Sequence, residues 1–177
     1  MPFERDPITL ARKWVKPGTK GMEHRIGGLE KDSISGNISY DPENHQKMTN
    51  LRSQKIKNIQ NELDDINING PEKGDLLVIG WGSTNGPISE AQDELSKKGL
   101  KISHIQVSCL WPISDNLKEI ASKFESVIVV EMNEGQLYSI LKTEGITKAQ
   151  SLTQVSGKPI RVSYLLEKFK KIIKREK

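Results

Sequence analysis

The pattern of apolar and polar residues changes near residue 75. Beyond that point, short apolar runs alternate with segments in which apolar residues recur every three or four positions. Runs such as Leu76–Ile79 and Val127–Val130 are typical of strands that are covered on both faces. Periodic segments, such as the stripe from Val162 to Ile173, are typical of helices with one buried face. The second part of the chain therefore predicts alternating strands and helices.

The same signals place the remaining elements of this part. Further strands are predicted at Ile102–Val107 and Leu152–Val155; further helices are predicted after Pro87, after Ser114 with Phe124 on the apolar face, and over Gly135–Leu141. Alternation at this spacing favours a parallel sheet with crossover helices. We expect an α/β, Rossmann-like domain over residues 74–177, with a mostly parallel sheet and helices on both faces.

Two further segments precede this domain. Residues 1–40 are rich in Pro, Gly and charged residues, and they predict an extended arm with one hairpin around Ser35–Tyr40 that lies on a neighbouring domain or subunit. Residues 41–73 predict a connecting helix that is capped by Asp41 and opened by Pro42. Its apolar stripe runs from Met48 to Ile66, and Asn69-Gly70-Pro71 is expected to end it.

Composition narrows the possible function. The chain has 177 residues, of which 34% are hydrophobic, and no apolar stretch approaches the roughly 20 residues of a membrane helix. With no visible signal peptide, a cytoplasmic location and no membrane partner are expected. The net charge is +4, but residues 168–177 alone contribute six basic residues and one acid. This places the excess charge on one helix end and argues against a nucleic-acid partner.

Two loops at predicted strand ends carry the candidate chemistry. Gly80–Gly86 offers glycines and hydroxyls before a helix N-terminus, where an anion binds readily, although a turn required only for packing explains it equally well. Glu131–Gln136 is a polar cluster suited to recognition, unless Asn133 caps the next helix and Glu131 pairs with a lysine. Ligands of open α/β sheets bind at such strand ends.

The remaining reactive residues predict no catalytic or metal site. Cys109 is the single cysteine, so an iron–sulfur cluster or cysteine-rich zinc site held by this chain alone is not expected. His24, His45 and His104 have spacings that match no helical metal motif, and we interpret all three as surface or hydrogen-bonding residues. Cys109 is interpreted as a semi-buried structural residue.

Several short motifs nevertheless resemble those of one family. These motifs are Pro17-Gly18-Thr19, Glu23-His24-Arg25-Ile26-Gly27-Gly28, Asp41-Pro42-Glu43-Asn44-His45-Gln46-Lys47-Met48, Gly80-Trp81-Gly82-Ser83-Thr84 and Glu131-Met132-Asn133 with Gly135-Gln136. In this order, they are similar to the C-terminal part of the alpha subunit of 2-oxoacid:ferredoxin oxidoreductases, most of all the 2-oxoglutarate type. The resemblance covers nearly the whole chain and implies a transketolase-C-like domain.

The resemblance implies an activity for a larger complex. Such an enzyme decarboxylates a 2-oxoacid on thiamine diphosphate and Mg²⁺, passes electrons through iron–sulfur clusters to ferredoxin, and transfers the acyl group to coenzyme A. The expected partners are the rest of the alpha subunit, the beta subunit and ferredoxin. This chain lacks Gly-Asp-Gly and a cysteine cluster, so we expect it to hold none of these cofactors alone and to be inactive in isolation.

The predicted contacts with cofactor or partner are Gly82, Ser83, Thr84, Glu131, Asn133 and Gln136, while His24 and His45 are expected to fix the arm. The chain is expected to be a fragment, a split-gene product or a truncated gene. Two alternatives remain: a free-standing Rossmann-like module that binds an anionic nucleotide-like ligand, or an inactive remnant. The departures from the family pattern include Asn85 and Glu134, and they lie in strand-end loops.

Overall fold

The computed structural model describes residues 1–175 and divides the chain into two compact units. The first unit is Met1–Leu63, and the second begins at Asp64. Among the described residues, no helix combines the length and the apolar character required to cross a bilayer.

Helix α1 (Pro42–Asn58) is the main element of the first unit. The carboxylate of Asp41 caps it by accepting hydrogen bonds from the backbone N–H groups of Glu43 and Asn44, as the sequence predicts. The prediction that the helix continues to Ile66 is wrong, because α1 gives way to a 3-10 turn at Ile59–Glu62. Ile66 packs instead, with Ile68, against the core of the second unit. The spacing of Ile66 fits the helical stripe, but this side chain packs in the second unit and not beside α1.

Residues 1–40 form neither helices nor strands, but the segment has fixed local structure. Single antiparallel bridges join Arg5 to Arg12 and Lys31 to Ile38. The turn inside the second bridge is held by Asp32, and the backbone N–H and hydroxyl of Ser35 lower the pKa of the Asp32 carboxyl to about 2. The expected hairpin is therefore a single bridge centred a few residues before the predicted position.

The second unit is built on a four-stranded sheet with the order β2-β1-β3-β4, in which every pairing is parallel. The strands are β1 (Gly74–Trp81), β2 (Ile102–Val107), β3 (Phe124–Glu131) and β4 (Ala149–Thr153). The prediction that Phe124 lies on a helix is wrong: it opens β3, and its ring is buried in the core. Strand β4 begins before the predicted Leu152, because its pairing with β3 starts at Ala149.

Helices cover both faces of this sheet. They are α2 (Asn85–Ser96), α3 (Asn116–Ser122), α4 (Gln136–Thr143) and α5 (Val162–Arg175). One core cluster joins α2 and α5 to the sheet, and a second cluster joins α3 and α4 to it. The predicted α/β architecture, with a parallel sheet and helices on both faces, is thus confirmed. On α5, Lys170, Lys171 and Lys174 are exposed, as expected for a solvated basic helix end.

Candidate functional site at the switch point of the sheet

The strand order creates one crevice at the carboxyl edge of the sheet. From β1 the chain crosses to β2 on one side, and it then returns to place β3 on the other side of β1. In open parallel sheets such a reversal separates the loops that follow the two central strands, and ligands bind in that gap. Here the two loops are Gly82–Gly86 and Met132–Gln136, so the structure brings both predicted loops to the switch point.

Glu131 bridges this crevice from its position at the end of β3. Its side chain is completely buried. Its Oε1 accepts hydrogen bonds from Trp81 Nε1 at 3.2 Å and from Asn133 Nδ2 at 3.1 Å. Trp81 is the last residue of β1, so this carboxylate ties the ends of the two central strands together. Sequence reasoning missed Trp81 as the partner, because 50 residues separate it from Glu131.

Glu131 and Asn133 also cap helix α4. The two oxygens of Glu131 accept from the backbone N–H groups of Leu137 at 2.9 Å and Tyr138 at 3.0 Å. Asn133 Oδ1 accepts from the N–H groups of Gly135 at 2.7 Å and Gln136 at 3.4 Å. The donors that a helix leaves unpaired in its first turn are therefore occupied, and a buried negative charge lies at the positive end of the helix dipole. This N-terminus has no free donor for an external anion.

The loop after β1 is shaped by three glycines with different local reasons. A Cβ at Gly80 would lie 2.5 Å from Ile88 Cδ1, so close packing of α2 on β1 requires glycine there. Gly82 has φ +58°, a left-handed conformation that glycine adopts without strain. Gly86 has neither feature, since φ is not positive and a Cβ would meet no atom within 4 Å. Packing thus explains Gly80, backbone conformation explains Gly82, and neither explains Gly86.

The hydroxyls of this loop differ in their availability. Thr84 is buried; its Oγ1 donates to the Trp81 carbonyl at 2.9 Å and accepts from the Trp81 N–H at 3.1 Å. Ser83 is exposed, and its Oγ lies 3.7 Å from Met132 Sδ in the facing loop. Gly82, Ser83 and Gln136 are the exposed members of the predicted set. A recognition role for the six residues stays a prediction, and these contacts assign Thr84 and Glu131 to positioning the loops.

The two predicted arm residues make contacts within the first unit. His24 Nδ1 lies 2.9 Å from the Met22 carbonyl, and its ring meets Phe3 edge-on at 5.6 Å. His45 Nδ1 lies 2.9 Å from Glu30 Oε2. Arg52 binds the same carboxylate through two hydrogen bonds of 3.1 Å and, with the other bonds that Glu30 accepts, lowers the pKa of Glu30 to about 2. Glu30 was not predicted, because only the fold of residues 30–52 brings these groups together.

The other reactive side chains are held inside the second unit. His104 is buried on β2, with Nδ1 3.3 Å from Ser89 Oγ, and desolvation lowers its pKa to about 4. Cys109 Sγ lies 3.5 Å from the carbonyls of Trp111 and Pro112. Within residues 1–175, no group of three His, Cys, Asp or Glu side chains is arranged to hold a metal ion.

Known proteins resemble both the sequence and the structure. Residues 74–165 match the family model "Pyruvate:ferredoxin oxidoreductase core domain II". The chain is 41% identical over 174 residues to the 2-oxoglutarate oxidoreductase subunit KorA of Mycobacterium tuberculosis, which covers 98% of this chain and 26% of that protein. It is 29% identical to the 2-oxoacid:ferredoxin oxidoreductase subunit alpha of Saccharolobus solfataricus, over 84% of this chain and 24% of that protein.

A solved structure is similar over almost the whole chain. It is the 2-oxoglutarate:ferredoxin oxidoreductase from Magnetococcus marinus with 2-oxoglutarate, coenzyme A and succinyl-CoA bound. The TM-score is 0.87 at 28% sequence identity, and the match covers 97% of this chain and 30% of that one. The chain thus spans only about a quarter to a third of the length of these relatives.

Proposed function

We propose that this chain, which belongs to the pyruvate:ferredoxin oxidoreductase core domain II family, is the C-terminal portion of an alpha subunit in a 2-oxoacid:ferredoxin oxidoreductase. The complete enzyme would convert a 2-oxoacid, coenzyme A and oxidised ferredoxin to acyl-CoA, CO₂ and reduced ferredoxin. Within that enzyme, the role of this chain is structural: it supplies an interface and positions loops. The rest of the complex holds thiamine diphosphate, Mg²⁺ and the iron–sulfur cluster. We place it in the cytoplasm.

One observation carries this proposal. The similarity to the oxidoreductase from Magnetococcus marinus extends over 97% of the chain, so both units have counterparts in one enzyme structure. A free-standing ligand-binding module has less support. Glu131 bridges the switch-point crevice with internal hydrogen bonds, and local structure already explains Gly80 and Gly82.

Surface features indicate where companions dock. In the first unit, Trp14 is 96% exposed and Ile26 is 85% exposed, and side chains of this kind contribute binding free energy when a partner buries them. In the second unit, Gly86 lacks a local structural reason, and a glycine without one is typical of close approach by another backbone. We assign Trp14, Ile26 and the exposed residues Gly82, Ser83 and Gly86 to contacts with the remainder of the alpha subunit and with the beta subunit.

Co-expression with the missing alpha-subunit portion and a beta subunit tests this assignment. The chain should co-purify with both and restore 2-oxoacid-dependent ferredoxin reduction. Trp14→Ser should weaken co-purification by about 30-fold, as expected for an interface aromatic worth about 2 kcal/mol. Lys20→Ser, at an exposed polar position of the same segment, is the control and should leave assembly unchanged.

Two results would overturn the proposal. One is failure of the chain to associate with either companion. The other is equal recovery of the Trp14 and Lys20 variants together with no gain in ferredoxin reduction. Thermal unfolding of each variant alone separates a docking defect from a folding defect.

A further inference from the structure

A cavity of about 540 Å³ lies within the first unit, and its wall is strongly basic. Six of the lining residues are Arg5, Arg12, Lys13, Arg25, Arg52 and Lys55. Glu30 is the one carboxylate residue among those that line it. This cavity is separate from the sheet and from the loops at the switch point, because every lining residue belongs to residues 2–55.

The available carboxylates do not neutralise this wall. Glu30 is occupied by the two-bond pair with Arg52 and by His45. Lys13 pairs with Glu4 at 3.3 Å. Across the part of the chain that the structure describes, no carboxylate lies within 4.0 Å of the charged groups of Arg5, Arg12, Arg25 or Lys55.

Arg5 is the lining residue whose charged form is most clearly destabilised by its surroundings. Its Nε is shielded from solvent and has no hydrogen-bond partner within the described residues, while Nη1 donates to the Leu10 carbonyl at 2.8 Å. Burial, followed by the charges of Arg12 and Arg52, lowers the pKa of Arg5. Like charges held together around one cavity repel one another, and they also produce a field that attracts an anion. A bound anion would relieve the repulsion by pairing with the guanidinium groups that solvent reaches.

Aromatic rings stand beside the guanidinium groups. Phe3 and His24 line the cavity, and the Arg12 guanidinium lies 3.9 Å over the Phe3 ring. The volume is within the range of about 300–1,000 Å³ that is typical of small-ligand sites. Arginine binds phosphate oxygens in pairs, and aromatic faces stack on bases. We propose that this cavity binds a phosphorylated ligand of nucleotide size.

Isothermal titration of the 177-residue chain tests this site, and it requires neither companions nor enzyme activity, so its outcome is independent of the proposed function. The probes are ADP and adenosine 3′,5′-bisphosphate, with pyrophosphate and adenosine as the separate parts. At least one nucleotide should bind with one-to-one stoichiometry, and more tightly than pyrophosphate or adenosine. Binding should weaken as salt rises, because the contacts are ionic.

Charge-matched variants locate the site. Arg12→Gln combined with Arg25→Gln should weaken nucleotide binding by about tenfold or more, and a tenfold loss corresponds to roughly 1.4 kcal/mol of binding free energy. Arg25→Gln alone should already weaken binding, because within residues 1–175 the Arg25 side chain makes no hydrogen bond or ion pair whose loss would disturb the fold. Lys16→Gln combined with Lys20→Gln removes the same charge from exposed positions of the same segment outside the cavity and should leave the affinity unchanged.

The alternative results are decisive. Absence of binding by both nucleotides overturns the proposal. Equal weakening in the cavity pair and the control pair also overturns it, because it indicates attraction to net charge alone. A polyglutamate peptide that binds as tightly as the nucleotides would assign the cavity to an acidic protein segment instead.

Discussion

Replacing Glu131 with glutamine should destabilise the second unit strongly although it keeps the size of the side chain. The carboxylate is fully buried and accepts four hydrogen bonds, from Trp81, Asn133, Leu137 and Tyr138. A glutamine has a single acceptor oxygen, so its NH₂ group would face at least one of these donors. Glu131→Gln therefore sets a donor against a donor in a site closed to water.

The magnitude follows from the donors that lose their acceptor. A buried donor without a partner costs roughly 1–3 kcal/mol, and hydrogen bonds to a charged group are at the upper end. Leu137 and Tyr138 offer fixed backbone N–H groups, whereas the side chain of Asn133 can reorient. We expect Glu131→Gln to lower the free energy of unfolding by about 3 kcal/mol. With a urea m-value of about 2 kcal/mol/M, the midpoint would fall by about 1.5 M.

Urea unfolding followed by circular dichroism and tryptophan fluorescence measures this change. Glu134→Gln is the matched control: it removes the same charge from an exposed residue of the same loop and should shift stability by no more than about 0.5 kcal/mol. Trp81→Phe should cost about 1 kcal/mol in the native background and less in the Glu131→Gln background, because the two residues share one hydrogen bond. Equal midpoints for the Glu131 and Glu134 variants would refute the bridging role of Glu131.

Three further changes probe other parts of the chain. The pKa of His104 is about 4 in the folded chain against 6.5 ordinarily, so the unfolded chain binds the proton first as the pH falls. The free energy of unfolding should therefore drop by about 2 kcal/mol between about pH 7 and about pH 5. His104→Gln should remove this part of the pH dependence in urea titrations at the two pH values. Gly80→Ala should cost about 1–3 kcal/mol by overpacking against α2, whereas Gly86→Ala should stabilise the isolated chain by about 0.5 kcal/mol; thermal unfolding that ranks them otherwise would contradict the packing argument. Asp41→Ala should lower the stability of the first unit by about 1 kcal/mol through loss of the α1 cap. An unchanged unfolding curve would show that the cap does not stabilise this unit.

The structure corrected the sequence predictions mostly at element boundaries. The apolar stripe beyond Met48 predicts a helix to Ile66, but α1 ends at Asn58, and Ile66 and Ile68 are half-buried against the core of the second unit. Phe124 fits the periodicity of α3, yet its burial in the core belongs to the first residue of β3. Periodicity reports that a residue is buried, and it does not report which element buries it.

The sequence by itself determined the α/β class, the order of the elements, the cap of α1 and the two loops at the carboxyl edge of the sheet. These follow from local signals, because periodicity, capping and turn residues act over a few positions. Only the tertiary structure decided that Glu131 bonds Trp81 and that the basic side chains of the first unit surround one cavity. Those pairings join residues far apart in the chain, and they depend on strand order and on how the arm folds rather than on any short pattern.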